Sequence, residues 1–120
     1  MAVIHVAQTA DISDIEPIGP VGKPLSEPAC QLRLREFDIA GASSLGQGIW
    51  ECSPGKFRRE VKSAEVMHIL SGKGVFTSDS GEATVFQAGD TIMMSPLTQG
   101  VWEIQETVRK VYVLLPAAEA

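Results

Sequence analysis

The sequence predicts an all-β domain, and three observations carry that expectation. Short runs of β-branched and apolar residues recur along most of the chain. Glycine, proline and serine clusters such as Ser53-Pro54-Gly55 and Gly89-Asp90 separate them. No stretch of about twelve residues carries the period of about 3.6 that an amphipathic helix needs, so helix is minor.

The elements follow in order. Residues 1–29 stand apart: Asp11, Asp14 and Glu16 precede Pro17, Pro20, Pro24 and Pro28, with Gly19 and Gly22 between them. Proline at that density prevents a helix and fits poorly in a central strand. An extended arm lying over the domain or over a partner is expected, with a disordered tail as the alternative. A barrel over 30–116 and a short tail over 117–120 complete the organisation.

Within 30–116, Gln31 to Ile39 alternates in part, with Leu32 and Leu34 opposite Arg33 and Arg35. Gly48 to Cys52 and Phe57 to Val61 flank the Ser53-Pro54-Gly55 turn. Glu65 to Leu70 and Val75 to Ser78 read as a hairpin about Ser71-Gly72-Lys73-Gly74. Ala83 to Phe86 and Thr91 to Met94 surround Gln87-Ala88-Gly89-Asp90. Val101 to Gln105 and Thr107 to Leu115 close the set. Strands of this spacing build a sandwich or barrel.

Size and charge narrow the function classes. A chain of 120 residues fits one domain that buries roughly 65% of its unfolded surface. The formal net charge of -5 and a pI near 4.9 supply no basic footprint, so neither nucleic acid nor an anionic membrane is an expected partner. No apolar run approaches the roughly 20 residues of a membrane span. Met1 to Ala10 lacks a cationic start with a long apolar core, which makes the cytoplasm the expected compartment. Cys30 and Cys52 then read as reduced thiols acting as small buried hydrophobes.

The residues with chemical potential cluster around Glu65. On a regular strand Met67 and Ile69 share its side, while Val66, His68 and Leu70 share the other. Both sides are largely apolar, as are both sides of Val108 to Leu115. A strand of that kind needs a second cover, from the arm or from a second subunit, and a homodimer is the preferred expectation.

Four stretches carry a family resemblance: Gly48 through Gly55, Glu65 through Gly72, Gly89-Asp90, and Gly100-Val101-Trp102-Glu103 followed by Val108-Arg109-Lys110-Val111-Tyr112-Val113. They resemble the small single-domain cupins (RmlC-like), in the group containing the ureidoglycine aminohydrolase cupin domain and ethanolamine-utilisation accessory cupins. The resemblance implies a double-stranded β-helix, a jelly-roll barrel, commonly dimeric, with a ligand pocket at one mouth. The usual cupin metal site needs three histidines and a glutamate. Here the glutamate stands at Glu65, but the histidine pair falls on Arg59 and Val61, or on Arg58 and Glu60. Ser95 takes a proline's place and Gly100 the third histidine's place.

Neutral imidazole nitrogen is what ligates transition metals near neutral pH, and one carboxylate beside arginine is no substitute. No metal and no cofactor are expected. A non-standard site would have to join Glu65 to carboxylates such as Glu51 or Glu103. His68, out of phase with Glu65, and His5, in the arm, do not restore the set.

The expected ligand-binding residues are Glu65, Trp102, Met67, Gly100, Trp50, Tyr112, Lys110 and Arg59. Glu65 is also the candidate catalytic acid or base. Its other reading is an ion pair with Arg58, Arg59 or Lys110, since an unpaired buried charge is costly. Gly100 is expected to leave space where imidazole would stand, with Trp102 facing the same cavity or packing in the core. Only one of Trp50 and Glu51 can face inward. Lys110 and Tyr112 share a face, either in the pocket or as a snorkelling lysine beside a half-buried ring.

The functional expectation is a barrel of unassigned reaction that binds a small polar metabolite without a three-histidine metal. Alternatives are an enzyme of amine, ureide or sugar metabolism using Glu65, and a dimeric accessory module.

Overall fold

A computed structural model describes residues 3–41 and 45–116. The tail over 117–120 lies outside the described residues. Two long antiparallel strands form the spine, β5 (Ala64–Ser78) and β8 (Thr98–Leu115), paired along their whole length from Ala64↔Leu115 to Ser78↔Gly100. The free edge of β8 pairs with β3 (Gly46–Cys52) at its C-terminal half and with β4 (Gly55–Val61) at its N-terminal half. On its own free edge β5 pairs with β7 (Thr91–Met94) and then with β6 (Ala83–Gln87). Outside β3 lie β2 (Gln31–Glu36) and β1 (Glu16–Pro20).

The spine is broken where its halves fold over one another. Register shifts fall between Ile69 and Gly74, and each bulge bends a strand and increases its twist. Ser71-Gly72-Lys73-Gly74 is therefore not the turn of a hairpin, as its glycines suggested, but a bulged stretch inside β5. Gly72 has φ +87°, and a Cβ there would lie 2.1 Å from the Thr107 carbonyl oxygen. Only glycine meets both demands. Val101 to Gln105 and Thr107 to Leu115 are likewise one strand.

Folding the halves together buries the core. Trp102 stacks on Phe57 at 6.5 Å and meets Phe76 and Phe86 edge-on or tilted, at 4.9 and 5.5 Å between ring centroids. Met67, Ile69, Val108, Cys30 and Cys52 join them, all at most 1% exposed. Burial pushes both thiols up from their ordinary pKa and keeps them protonated.

The amino-terminal segment is ordered against the barrel. A 3-10 turn, Thr9–Asp11, precedes Ile15, which is buried, and β1 then adds an edge strand, where proline is tolerated. Arg109 fixes this segment. Its guanidinium donates to the carbonyls of Thr9, Ala10 and Ile12 at 2.9–3.1 Å and also reaches Glu51. Glu51 also accepts from Arg33 at 2.8 Å.

Candidate functional site

Strands β4, β5 and β8 supply the charged group. Inward-facing Leu34, Trp50 and Lys110 lie in cross-strand register on β2, β3 and β8. Two rows along, Glu65 on β5 pairs with Leu114 on β8. The Lys110 side chain reaches diagonally from its row, and its Nζ donates to Glu65 Oε2 at 2.7 Å. Arg59, from β4 across the barrel, donates through Nη2 to Glu65 Oε1 at 3.0 Å. Both carboxylate oxygens are thereby taken by cations.

Burial gives this arrangement its character. The side chains of Glu65 and Lys110 are 0% and 2% exposed, while Arg59 is 30% exposed and closes the group toward solvent. Aromatic rings surround the ammonium: Trp50 at 4.5 Å, Trp102 at 5.6 Å and Tyr112 at 5.9 Å, with Met67 Sδ at 3.7 Å. Ring faces attract a cation, but they solvate it less well than water. Burial pushes the Lys110 amine down to about 8, with Glu65 holding it up and Arg59 pushing it further down. The Tyr112 hydroxyl is raised, by burial first and by Glu36 and Glu65 next.

A cavity of about 170 Å³ opens onto the group, lined by Leu34, Trp50, Arg59, Glu65, Lys110, Tyr112 and Leu114. Trp50 and Arg59 also border a wider groove of about 530 Å³, where Lys23 and Lys62 add positive charge, Glu60 adds one negative charge, and Leu32 and Phe57 add apolar wall.

Of the residues expected from sequence, the structure brings together Glu65, Lys110, Arg59, Trp50 and Tyr112. Met67 lies beneath them, fully buried. Trp50 is the inward member of its pair, and Glu51 sits on the outer face with Arg33 and Arg109. Trp102 does not line the cavity; its ring is the centre of the aromatic core, and its Nε1–H has no acceptor among the described residues. Gly100 opens no space. A Cβ there would lie 2.3 Å from the Thr77 carbonyl oxygen and 2.7 Å from the Phe76 ring. The glycine permits close approach of β8 to β5. Arg58 points away to Asp79 at 2.5 Å, lowering that carboxyl's pKa. His68 is exposed and shares a hydrogen bond with Thr91.

Sequence reasoning missed Leu34 and Leu114. Leu34 had a signal, its alternation with Arg33 and Arg35, but nothing in the chain indicated that it stands opposite Trp50.

The residues present do not fit a cupin metal. Arg59 holds one of the positions counted for a histidine, and both oxygens of Glu65 are already bonded to cations. Glu51 and Glu103 cannot join it, because Glu51 faces outward and Glu103 pairs with Lys56 at 4.0 Å. No three His, Cys, Asp or Glu side chains converge among the described residues.

The profile of the family described as "EutQ-like cupin domain" matches residues 40–112. No curated protein matches the sequence. Among solved structures, a DUF861-family protein of unknown function from Pseudomonas syringae pv. tomato is 25% identical, with TM-score 0.75 over 86% of this chain and 45% of its own. This chain thus spans less than half of that protein. The EutQ protein of Clostridium difficile is 19% identical, with TM-score 0.65 over 81% of this chain and 79% of its own. A predicted oxalate decarboxylase of Thermotoga maritima is 16% identical, with TM-score 0.68 over 94% of this chain and all of its own. The last two likenesses concern the fold alone.

Proposed function

We propose that this chain, which belongs to the EutQ-like cupin domain family, binds a small carboxylate-bearing metabolite at the barrel mouth. The observation carrying this reading is the charge balance at the cavity. Lys110 and Arg59 together contribute two positive charges and Glu65 one negative, so a single net positive charge faces a small cavity walled by Trp50 and Tyr112. Poorly solvated charge of one sign favours a ligand of the other. Lys23 and Lys62 around the outer groove, against the one carboxylate of Glu60, give the same preference to its approach. Leu34, Leu114 and Trp50 suit a short apolar portion of the ligand. A cationic amine, by contrast, would meet Arg59 at the entrance.

Calorimetry against short carboxylates and short amines of matched size tests this reading. Carboxylates should bind, amines should not, and Arg59→Gln should weaken the carboxylates. Binding of the amines alone, or of neither class, would overturn it.

A second reading concerns assembly, and we propose a homodimer. The outer face of β5, β7 and β8 carries a row of apolar side chains that includes Met93, 76% exposed, beside Val66 and Val113. Ile4, Val6 and Thr9 of the amino-terminal segment line a cavity with Ile49, Val111 and Val113, yet Val113 stays 36% and Met93 76% exposed. Burial of the row against its copy would remove that surface from water. Light scattering at micromolar concentration should give twice the chain mass, and Met93→Glu should halve it; a wild-type monomer rejects this reading.

A further inference from the structure

We propose that Lys110 is a carbonyl-trapping amine, and that the site takes a small 2-oxo acid as an imine on Lys110 Nζ. This inference rests on the carboxylate-binding reading and narrows it to one chemical class. Three features of the site combine here.

The first is the placement of the nucleophile. Lys110 lines the cavity of about 170 Å³ while its side chain is only 2% exposed, so an entering ligand meets the amine in a space walled by Trp50, Tyr112, Leu34 and Leu114. Imine formation releases water, and a mostly apolar wall favours the side of the equilibrium from which water has left. The second is a proton carrier in contact: Glu65 Oε2 is 2.7 Å from Nζ, within the distance for direct proton transfer. The third is Arg59, fixed by its bond to Oε1 but part exposed at the entrance, with further N–H donors for the ligand's carboxylate. Burial of the amine, already described, works in the same direction by raising the fraction in the free-base form.

The step balances without oxidant or reductant. The ammonium gives one proton to the Glu65 carboxylate, and the freed lone pair forms a C–N bond to the carbonyl carbon while the C–O π pair moves onto oxygen. A proton passes from the nitrogen to that oxygen to give the carbinolamine. Glu65 returns its proton to the hydroxyl, the C–O bond breaks as nitrogen forms the C=N bond, and water departs. The iminium remains beside the regenerated carboxylate, which balances its charge.

The remaining lysines, Lys23, Lys56, Lys62 and Lys73, are exposed and serve as internal controls. Wild-type protein is incubated at neutral pH with pyruvate or glyoxylate and reduced with sodium cyanoborohydride. Peptide mapping then locates any mass gain equal to the oxo acid less one oxygen atom. The expected result is modification at Lys110 ahead of every exposed lysine by at least about tenfold, as its lowered pKa requires. Glu65→Gln should slow the reaction, and Arg59→Gln should raise the concentration of oxo acid needed. In parallel, lactate and glycolate, which carry the carboxylate but cannot condense, are titrated by calorimetry.

Labelling of Lys110 no faster than Lys23 or Lys62 overturns the imine. If lactate and glycolate nevertheless bind, the carboxylate site stands without it. If they also fail to bind, both readings fall. Because mapping of the wild-type chain decides the matter, the test does not depend on any variant folding.

Discussion

Replacing Glu65 by Gln removes the only anion in contact with Lys110 among the described residues, and the cost can be worked from the site. One unit of pKa corresponds to about 1.4 kcal/mol. The amine lies at about 8 in the folded chain against 10.5 when free. Holding it charged inside therefore already costs about 3 kcal/mol at pH 7. Without Glu65 its pKa falls further, but the folded state can escape by releasing the proton. At pH 7 that release costs about 5 kcal/mol, set by the distance from 10.5 to the ambient pH. The amine thus adds at most about 2 kcal/mol to the penalty. Loss of the Arg59 bond adds about 1 kcal/mol, a charged hydrogen bond discounted because the guanidinium is 30% exposed. Glu65→Gln should therefore lose about 3 kcal/mol at pH 7.

The pH dependence has a definite sign. A lysine whose folded pKa is depressed binds fewer protons in the folded than in the unfolded state between 8 and 10.5, so its burden on stability is full below 8 and lifts as pH rises through that window. In the variant the window begins lower. The difference between the two proteins should then shrink from about 3 kcal/mol at pH 7 to about 1 at pH 10. Urea unfolding followed by the fluorescence of Trp50 and Trp102 measures both values. Equal stability at pH 7, or a difference constant across that range, would refute the coupling of Glu65 to a charged Lys110.

Other perturbations have equally direct outcomes. Pairing Glu65→Leu with Lys110→Met removes both buried charges, and its urea midpoint at pH 7 should stay at or above the wild-type value, since apolar replacements of buried pairs are commonly neutral or stabilising by about 1–4 kcal/mol. Arg109→Ala deprives the carbonyls of Thr9, Ala10 and Ile12 of their shared donor; amide exchange and proteolysis should rise over residues 3–15 while the core amides keep their protection. Gly100→Ala drives a Cβ against the Thr77 carbonyl and should cost about 1–3 kcal/mol or more in urea unfolding. Gly100→His should unfold the chain rather than bind zinc, which thermal scans with and without the metal would report.

How far the sequence revealed this arrangement depends on which physical effect governed each residue. Strand alternation is set by backbone geometry, and it correctly grouped Met67 and Ile69 with Glu65, put His68 on the opposite face, and paired Lys110 with Tyr112. Which strand stands opposite which is a tertiary fact. Both Arg58 and Arg59 were possible partners for Glu65, and only the closure of β4 against β8 selects Arg59. Glycine was the least legible residue type. A positive φ at Gly72 serves a turn or a bulge equally well, and the register with Thr107 decides for the bulge. Gly100 read as vacated space because a missing side chain in a familiar frame suggests a hole. The space is filled by the backbone of β5. The same crowding decides between the two places open to Trp102, pocket wall or core, in favour of the core, where Phe57, Phe76 and Phe86 surround it.

The substitutions around Glu65 form one connected change rather than separate losses. A carboxylate buried to this degree requires positive charge nearby. In a metal-binding barrel the ion supplies it, and neutral imidazoles complete the shell. Here Arg59 stands at a position counted for imidazole, and Lys110 brings an ammonium to 2.7 Å from the same carboxylate. The charge requirement is met by side chains, and their rigid donors leave no open coordination set. A second consequence follows from the nature of the replacement. A metal's charge does not titrate, whereas an amine's does. The cation at the centre of this barrel can therefore give up its charge by releasing a proton, and the same loss leaves a nucleophile in its place.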